Sequence, residues 1–230
     1  MKKYAIILSF IMMVVIAAPA SALITYDNTF AYGNGGYTSP YAGAIVETFD
    51  PSGALTQPGW TFSLGSNYSI RTGDSSGYAS APWWTDPVAN PSGSKDETFY
   101  LTVPANKSVT PVSATIMFGG APYNYLGLWW GSMDTYNTLE LLAADGVTAV
   151  ETYTGGTWSA GNGLQEDSTT NMYRNLYGMP NFYGVRITST DYAFELDNLA
   201  VGYNVVPEPT TMLLLGLGLL GMAGVRRFRK

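Results

Sequence analysis

Thr98-Phe99-Tyr100-Leu101-Thr102-Val103 and Ala114-Thr115-Ile116-Met117-Phe118 are short runs of β-branched and aromatic residues bounded by Gly, Pro or Asp. Such residues suit a pleated, half-buried surface, and the runs have the length of strands. The pattern recurs upstream at Ala44-Ile45-Val46-Glu47-Thr48-Phe49 and Trp60-Thr61-Phe62-Ser63-Leu64. Downstream it returns at Tyr125 to Trp130, Thr138 to Leu142, Thr148 to Tyr153, Phe182 to Thr188 and Tyr192 to Tyr203. About nine strands separated by turns predict an all-β chain with a single β-sandwich or jelly-roll domain. Residues 154–178, rich in Gly, Asn, Ser and Thr, read as a long loop with a short helix near Asn171 to Tyr177. No fixed-period repeat occurs, which disfavours a solenoid.

The two ends read differently from this middle. Met1-Lys2-Lys3-Tyr4 gives a positive start, Ala5 to Ala18 an apolar run, and Ala20-Ser21-Ala22 a small-x-small cleavage site. These are the three parts of a bacterial-type secretory signal peptide over residues 1–22, with Ala20 and Ala22 in the peptidase's shallow pockets. At the other end Val206-Pro207-Glu208-Pro209 precedes an apolar stretch, Met212 to Val225, and a basic tail containing Arg226, Arg227, Arg229 and Lys230. As a helix that stretch rises about 21 Å, short of the roughly 30 Å hydrocarbon core, so it is a marginal transmembrane anchor. The basic cluster stays on the cytoplasmic side and holds the tail there, leaving everything before it outside. The expected organisation is signal peptide 1–22, surface domain 23–206 and C-terminal signal 207–230.

Between the ends five basic residues face sixteen acidic ones, a net charge of −11. A domain of that sign repels phosphate backbones, so no nucleic-acid partner is expected. The chain has no Cys and no His, which removes thiol nucleophiles, disulfides, Cys/His zinc sites and His-based triads together.

A Pro-x-Pro break, a short apolar helix and a basic tail are together similar to the PEP-CTERM sorting signal over residues 206–230. The resemblance implies that exosortase, a transmembrane enzyme, recognises the segment and cuts near Pro-Glu-Pro, as a GPI-type tail marks a protein for processing and is lost. Physically, Pro207 and Pro209 cannot extend the helix, which leaves Glu208 in extended backbone at the membrane edge. The path implied is export, a transient stay in the inner membrane, then the cell surface or extracellular matrix. The run from Phe118 to Leu139, including Trp129-Trp130-Gly131, looks like a strand-turn-strand signature of exosortase-dependent surface proteins. Glu47-Thr48-Phe49-Asp50, Gly59-Trp60-Thr61-Phe62 and Glu195-Leu196-Asp197-Asn198-Leu199-Ala200-Val201 resemble the opening and closing strands of carbohydrate-binding and adhesin jelly rolls.

Four tryptophans are candidates for a glycan platform. Trp83-Trp84 and Trp129-Trp130 are adjacent pairs, and successive strand residues point to opposite faces, so one of each pair needs cover other than the core. An exposed indole stacks on a sugar ring, and loops or sheet twist could equally bury both members. Trp83-Trp84, flanked by Pro82 and Pro87, reads as loop. Asp134 and Asn137 straddle a turn and are expected to cap backbone N–H groups. Glu47, Asp50, Asp197 and Asn198 would meet if the first and last strands pair, and their oxygens would suit Ca²⁺; no other cofactor is implied.

Catalysis at neutral pH would rest on carboxylates alone. Glu195 and Asp197 stand at i and i+2, similar to the Glu-x-Asp-x-x-Glu pattern of a jelly-roll glycosidase family, but Ala200 occupies the third position. The leading expectation is thus a non-enzymatic surface protein associated with extracellular polysaccharide. The alternatives are a carbohydrate-active enzyme and an adhesin-like or ice-binding surface, though Thr188-Ser189-Thr190 is a poor substitute for regular Thr-x-Thr arrays. Signal peptidase and exosortase are the processing partners. Intact mass of the exported form should show a chain beginning at Leu23 and ending near residue 206; a surface form that begins at Met1 or still carries Lys230 would contradict this.

Overall fold

The computed structural model describes residues 24–86, 88, 90–107 and 111–203. The expected signal peptide with Ala20 and Ala22 therefore lies outside the described residues, as do Val206, Pro207, Glu208 and Pro209 and the charges Arg226, Arg227, Arg229 and Lys230. The strands in chain order begin β1 (Thr25–Asp27), β2 (Ala31–Gly33), β3 (Gly36–Thr38), β4 (Ile45–Glu47), β5 (Thr61–Phe62), β6 (Ser69–Arg71), β7 (Trp83–Asp86) and β8 (Asn90–Lys95). They continue with β9 (Tyr100–Val103), β10 (Val112–Met117), β11 (Tyr125–Gly131), β12 (Asn137–Leu142), β13 (Ala149–Thr154), β14 (Met172–Tyr177), β15 (Gly184–Ser189) and β16 (Phe194–Gly202). Among the described residues only Gly155–Thr157 is helical, a single 3₁₀ turn.

Two antiparallel sheets form a β-sandwich. The larger runs β1-β14-β11-β16-β9-β6, with β4 also on β16, and the smaller runs β13-β12-β15-β10-β5. Each run singled out in the sequence contains a strand, and the first of them, β4, pairs with the last, β16. The core between the sheets takes Leu101, Val103, Leu126, Leu128, Trp130, Phe194, Leu196, Leu199 and Val201 from the large sheet and Ala114, Ile116, Leu139, Leu141, Val185 and Ile187 from the small one.

Two expectations are corrected. Residues 172–177 form β14, a strand paired on both sides by β1 and β11, and no helix. Its polar residues hid it: Asn175, fully buried, donates through Nδ2 to Asp27 Oδ1 (2.8 Å) and Thr29 O (2.6 Å) and accepts from Tyr125 Oη (2.7 Å). Two of these partners lie 148 and 146 residues away and the third 50, and no local pattern announces them. Likewise Trp83-Trp84 is no loop but opens the β7–β8 hairpin.

The larger sheet is buried on both faces. Every residue of β11 is buried, and along it side chains alternate between two different packings. Trp130 enters the main core and stacks on Phe194 with ring centroids 4.3 Å apart. Trp129 points the other way into a second cluster with Tyr37 and Tyr173, and Tyr125 into a third with Tyr177 and Ala200. The cover on that outer face comes from β2–β3, which packs across β11, β14 and β16. Both tryptophans of the 129–130 pair are therefore closed to any ligand, because a third layer buries the one that leaves the core.

Glu195 shows how that outer face accommodates a carboxyl group. It is fully buried, with the Ser80 N–H donating to Oε1 (2.9 Å) and the Ser132 hydroxyl to Oε2 (2.8 Å). Burial pushes its carboxyl up to about 8, against the lowering effect of those two donors. Glu195→Gln, whose Oε1 accepts from the Ser80 N–H while its Nε2 donates to the rotated Ser132 hydroxyl, should leave the melting temperature at pH 7 within a few degrees of the parent. Glu195→Ala strips two buried donors of their acceptor and should cost about 1–3 kcal/mol. Trp129→Ala and Trp130→Ala should each cost about 3–5 kcal/mol, read from urea midpoints. Equal effects for the Gln and Ala variants, or silent tryptophan changes, would contradict this packing.

Candidate functional site

Residues 31–38, Ala-Tyr-Gly-Asn-Gly-Gly-Tyr-Thr, make the tightest feature of the outer layer. Asn34 (φ 50°) and Gly35 (φ 83°) are both left-handed, the geometry of a two-residue hairpin turn that Asn-Gly favours. The hairpin lies flat on the sheet because Gly36 has no side chain: a Cβ there would come 2.2 Å from the Trp129 ring. Tyr37 meets Trp129 edge-on at 5.5 Å, and its hydroxyl accepts from the Thr85 N–H (2.9 Å), which ties this hairpin to β7–β8. Asn198 Nδ2 donates to Tyr37 O at 2.9 Å and fastens the same hairpin to β16.

Between the two hairpins lies a cleft of about 410 Å³. Its aromatic walls are Tyr32, 45% exposed, and Trp84, with ring centroids 5.9 Å apart and planes inclined at 52°. Gly33, Gly35 and Gly36 present bare backbone to it, while Ser94, Lys95, Glu97 and Thr98 supply polar groups. Lys95 Nζ is held by Asp74 Oδ2 (2.7 Å) and Ser80 Oγ (3.0 Å). Rings with apolar faces, surrounded by hydroxyl, amide and carboxylate groups, match the alternation of C–H and O–H on a sugar.

Of the four tryptophans, only Trp84 lines this cleft. Trp83 points away across its own hairpin, where it covers Gly93 so closely that a Cβ there would be 1.9 Å from the ring. Tyr32, Glu97 and Thr98 escaped the reading of the sequence. The Asn34-Gly35 dipeptide between two tyrosines was the signal that could have found the hairpin.

The expected calcium set is brought together only in part. Glu47 is consumed by its own loop: Oε1 accepts from the Phe49 N–H (2.7 Å) and the Thr56 hydroxyl (2.9 Å), and Oε2 from the Thr56 (2.6 Å) and Gln57 (2.9 Å) N–H groups. With every strong acceptor direction filled, Glu47 is a loop clamp and drops out of the set. Asp50 Oδ1 accepts from the Phe99 N–H (3.0 Å). Asp197 and Asn198 are fully buried, beside Asp96, which no sequence pattern marked. At the 134–137 turn the Asn137 N–H donates to Asp134 O (3.0 Å), and Asn137 Nδ2 reaches Ala193 O (3.0 Å).

A second, acidic depression of about 360 Å³ is lined by Asp74, Ser132, Asp134, Tyr136, Gln165 and Glu195 among others. Burial raises the Asp134 carboxyl as well. Asp197, the i+2 partner of Glu195, does not line this depression.

Among solved structures, the chain is similar to the K2 cleaved adhesin domain of Lys-gingipain, at 12% identity and a TM-score of 0.41, with 70% of this chain and 99% of that chain covered. It is also similar to the enzymatically active domain of tailspike protein 4 from bacteriophage CBA120, at 18% identity and a TM-score of 0.28, covering 63% of this chain and 19% of that one. No curated protein matches the sequence. Residues 205–230 match the model of the PEP-CTERM protein-sorting motif, and this chain thus carries a signal that implies export, processing by exosortase and membrane-anchored sorting to the cell surface.

Proposed function

We propose that the sandwich is a non-enzymatic module that seats an exported protein in extracellular polysaccharide, with the Tyr32–Trp84 cleft as its contact with the glycan. The observation that supports this reading is the pairing of a half-exposed tyrosine and a tryptophan over a floor of glycine backbone. On the glycine side of the cleft a sugar ring would meet bare backbone, and elsewhere the side chains of Ser94, Lys95, Glu97 and Thr98. The domain's acidity favours a neutral glycan over an anionic one, since like charges are held apart.

The acidic depression around Glu195 favours a second reading, a carbohydrate-active enzyme, because a raised carboxyl in a cleft is the mark of a general acid. Against it, both oxygens of Glu195 are engaged by Ser80 and Ser132, and the residue at the third position of the glycosidase pattern is Ala200.

Retention of the exported protein on the producing cell's own extracellular polysaccharide separates these readings. Tyr32→Ala and Trp84→Phe should each weaken retention about tenfold, or about 1.4 kcal/mol, with melting temperatures close to the parent, and no reducing ends should appear. Retention unchanged in both variants would refute the cleft; release of reducing ends that Glu195→Gln abolishes would establish the enzyme instead.

A further inference from the structure

β16 changes neighbours halfway along. Its pairing with β9 ends at Leu196↔Leu101, and its pairing with β4 begins at Leu199↔Glu47, so residues 197 and 198 have no ladder partner on that side. On the other side the register with β11 shifts between Gly127 and Trp129, a bulge that places Asn198 at φ 48°. Loops ending in Asp50 and carrying Asp96 flank this gap: the Phe99 N–H donates to Asp50, and Asp96 Oδ1 accepts from the Thr98 N–H (2.8 Å) and hydroxyl (2.6 Å).

The side chains at this break are buried, and several of their oxygens lack a donor. Asp197 is 0% exposed, and beyond the adjoining Asn198 N–H and the facing Asp96 carboxyl no group donates to either of its oxygens. Asp96 Oδ2 and Asn198 Oδ1 also lack a donor, although both residues are buried. The Asp96 and Asp197 carboxyls lie within hydrogen-bonding reach of each other, and Asp50 acts on both as a further negative charge. Buried carboxylate oxygens without donors are strongly destabilising unless a cation or a proton neutralises them.

We infer that this gap is a Ca²⁺ site, ligated by the carboxylates of Asp197 and Asp96 and the side-chain oxygen of Asn198. With no Cys or His anywhere in the chain the donors are all oxygen, which selects a hard cation. Among the described residues no three ionisable ligands converge to form a cage by themselves. Two carboxylates completed by an amide oxygen, main-chain carbonyls and water suit Ca²⁺, which accepts six to eight oxygens in irregular geometry, better than Mg²⁺ with its strict octahedron. The ion would join β16 to Asp96 and thereby to Thr98, which lines the cleft. Through Asn198 it would also steady the hairpin that carries Tyr32. Calcium-dependent glycan retention follows, a consequence that rests on the function proposed above.

The test uses the full-length chain in detergent, stripped with EDTA and then melted in EDTA, Ca²⁺ or Mg²⁺. Calcium at a hundredfold excess over its dissociation constant should raise the melting temperature by roughly 5–10 °C, and Mg²⁺ by much less. Terbium luminescence excited through the nearby aromatic rings should appear and be displaced by calcium. Asp197→Asn should abolish both effects, with Asp96→Asn as the second variant should the first fail to fold. Identical melting of the parent in calcium and EDTA, with Asp197→Asn melting higher in both, would overturn the site and leave two carboxyls sharing a proton. A calcium shift that survives both substitutions would also overturn it. A calcium shift confined to the parent, with no polysaccharide retained in either buffer, would uphold the cation site and refute the glycan cleft.

Discussion

The point on which this domain turns is the change of partner on β16. Where the strand leaves β9 and meets β4, two residues lose their backbone ladder on one side, and the break must be filled by side chains. Unpaired groups in a buried sheet are costly, so the surrounding loops converge there. Glu47 gathers residues 49–57, Asp50 and Asp96 hold residues 98–99, and Asn198 reaches out to the β2–β3 hairpin. The Asn198 side chain at this break is what hydrogen-bonds the β2–β3 hairpin to β16.

That third layer accounts for the aromatic residues on the outer face of the large sheet. A two-layer sandwich buries one face of each sheet, and its strands alternate apolar and polar. Here the large sheet is covered twice, once by the small sheet and once by the β2–β3 and β7–β8 hairpins. Trp129 and Trp130 can then both be buried, and Tyr37 and Trp84 pack outward from Trp129 until Tyr32 reaches solvent. The cleft is the edge of this aromatic succession, so its geometry is set by the packing beneath it.

Much of this was legible in the sequence, for reasons that differ by residue. The strands of the sandwich announce themselves because Ile116, Leu139 and Ile187 alternate with polar neighbours facing water, and the sorting motif announces itself because it is local. β14 was not legible: Arg174 and Asn175 break the apolar pattern, and what satisfies Asn175 is a segment at the opposite end of the domain. The pairing of first and last strands was anticipated, and it placed Asp50, Asp197 and Asn198 in one region. Glu47 differs because the loop it clamps closes within ten residues, while Asp96 arrives from a hairpin whose position depends on the third layer. Acidic residues at strand ends look alike in sequence; only the directions of nearby N–H groups separate a clamp from a buried, unsatisfied carboxylate.

The claim most open to direct measurement is that the outer layer, at Trp84, is the surface that meets the polysaccharide. The chain has six tryptophans, and each indole N–H gives its own resonance in a ¹H–¹⁵N spectrum of the exported protein. On titration with soluble fragments of the extracellular polysaccharide, the Trp84 indole should shift progressively while Trp129 and Trp130, closed beneath the hairpins, stay in place. A Trp84 resonance that does not move at saturating fragment would contradict the cleft as the site of binding.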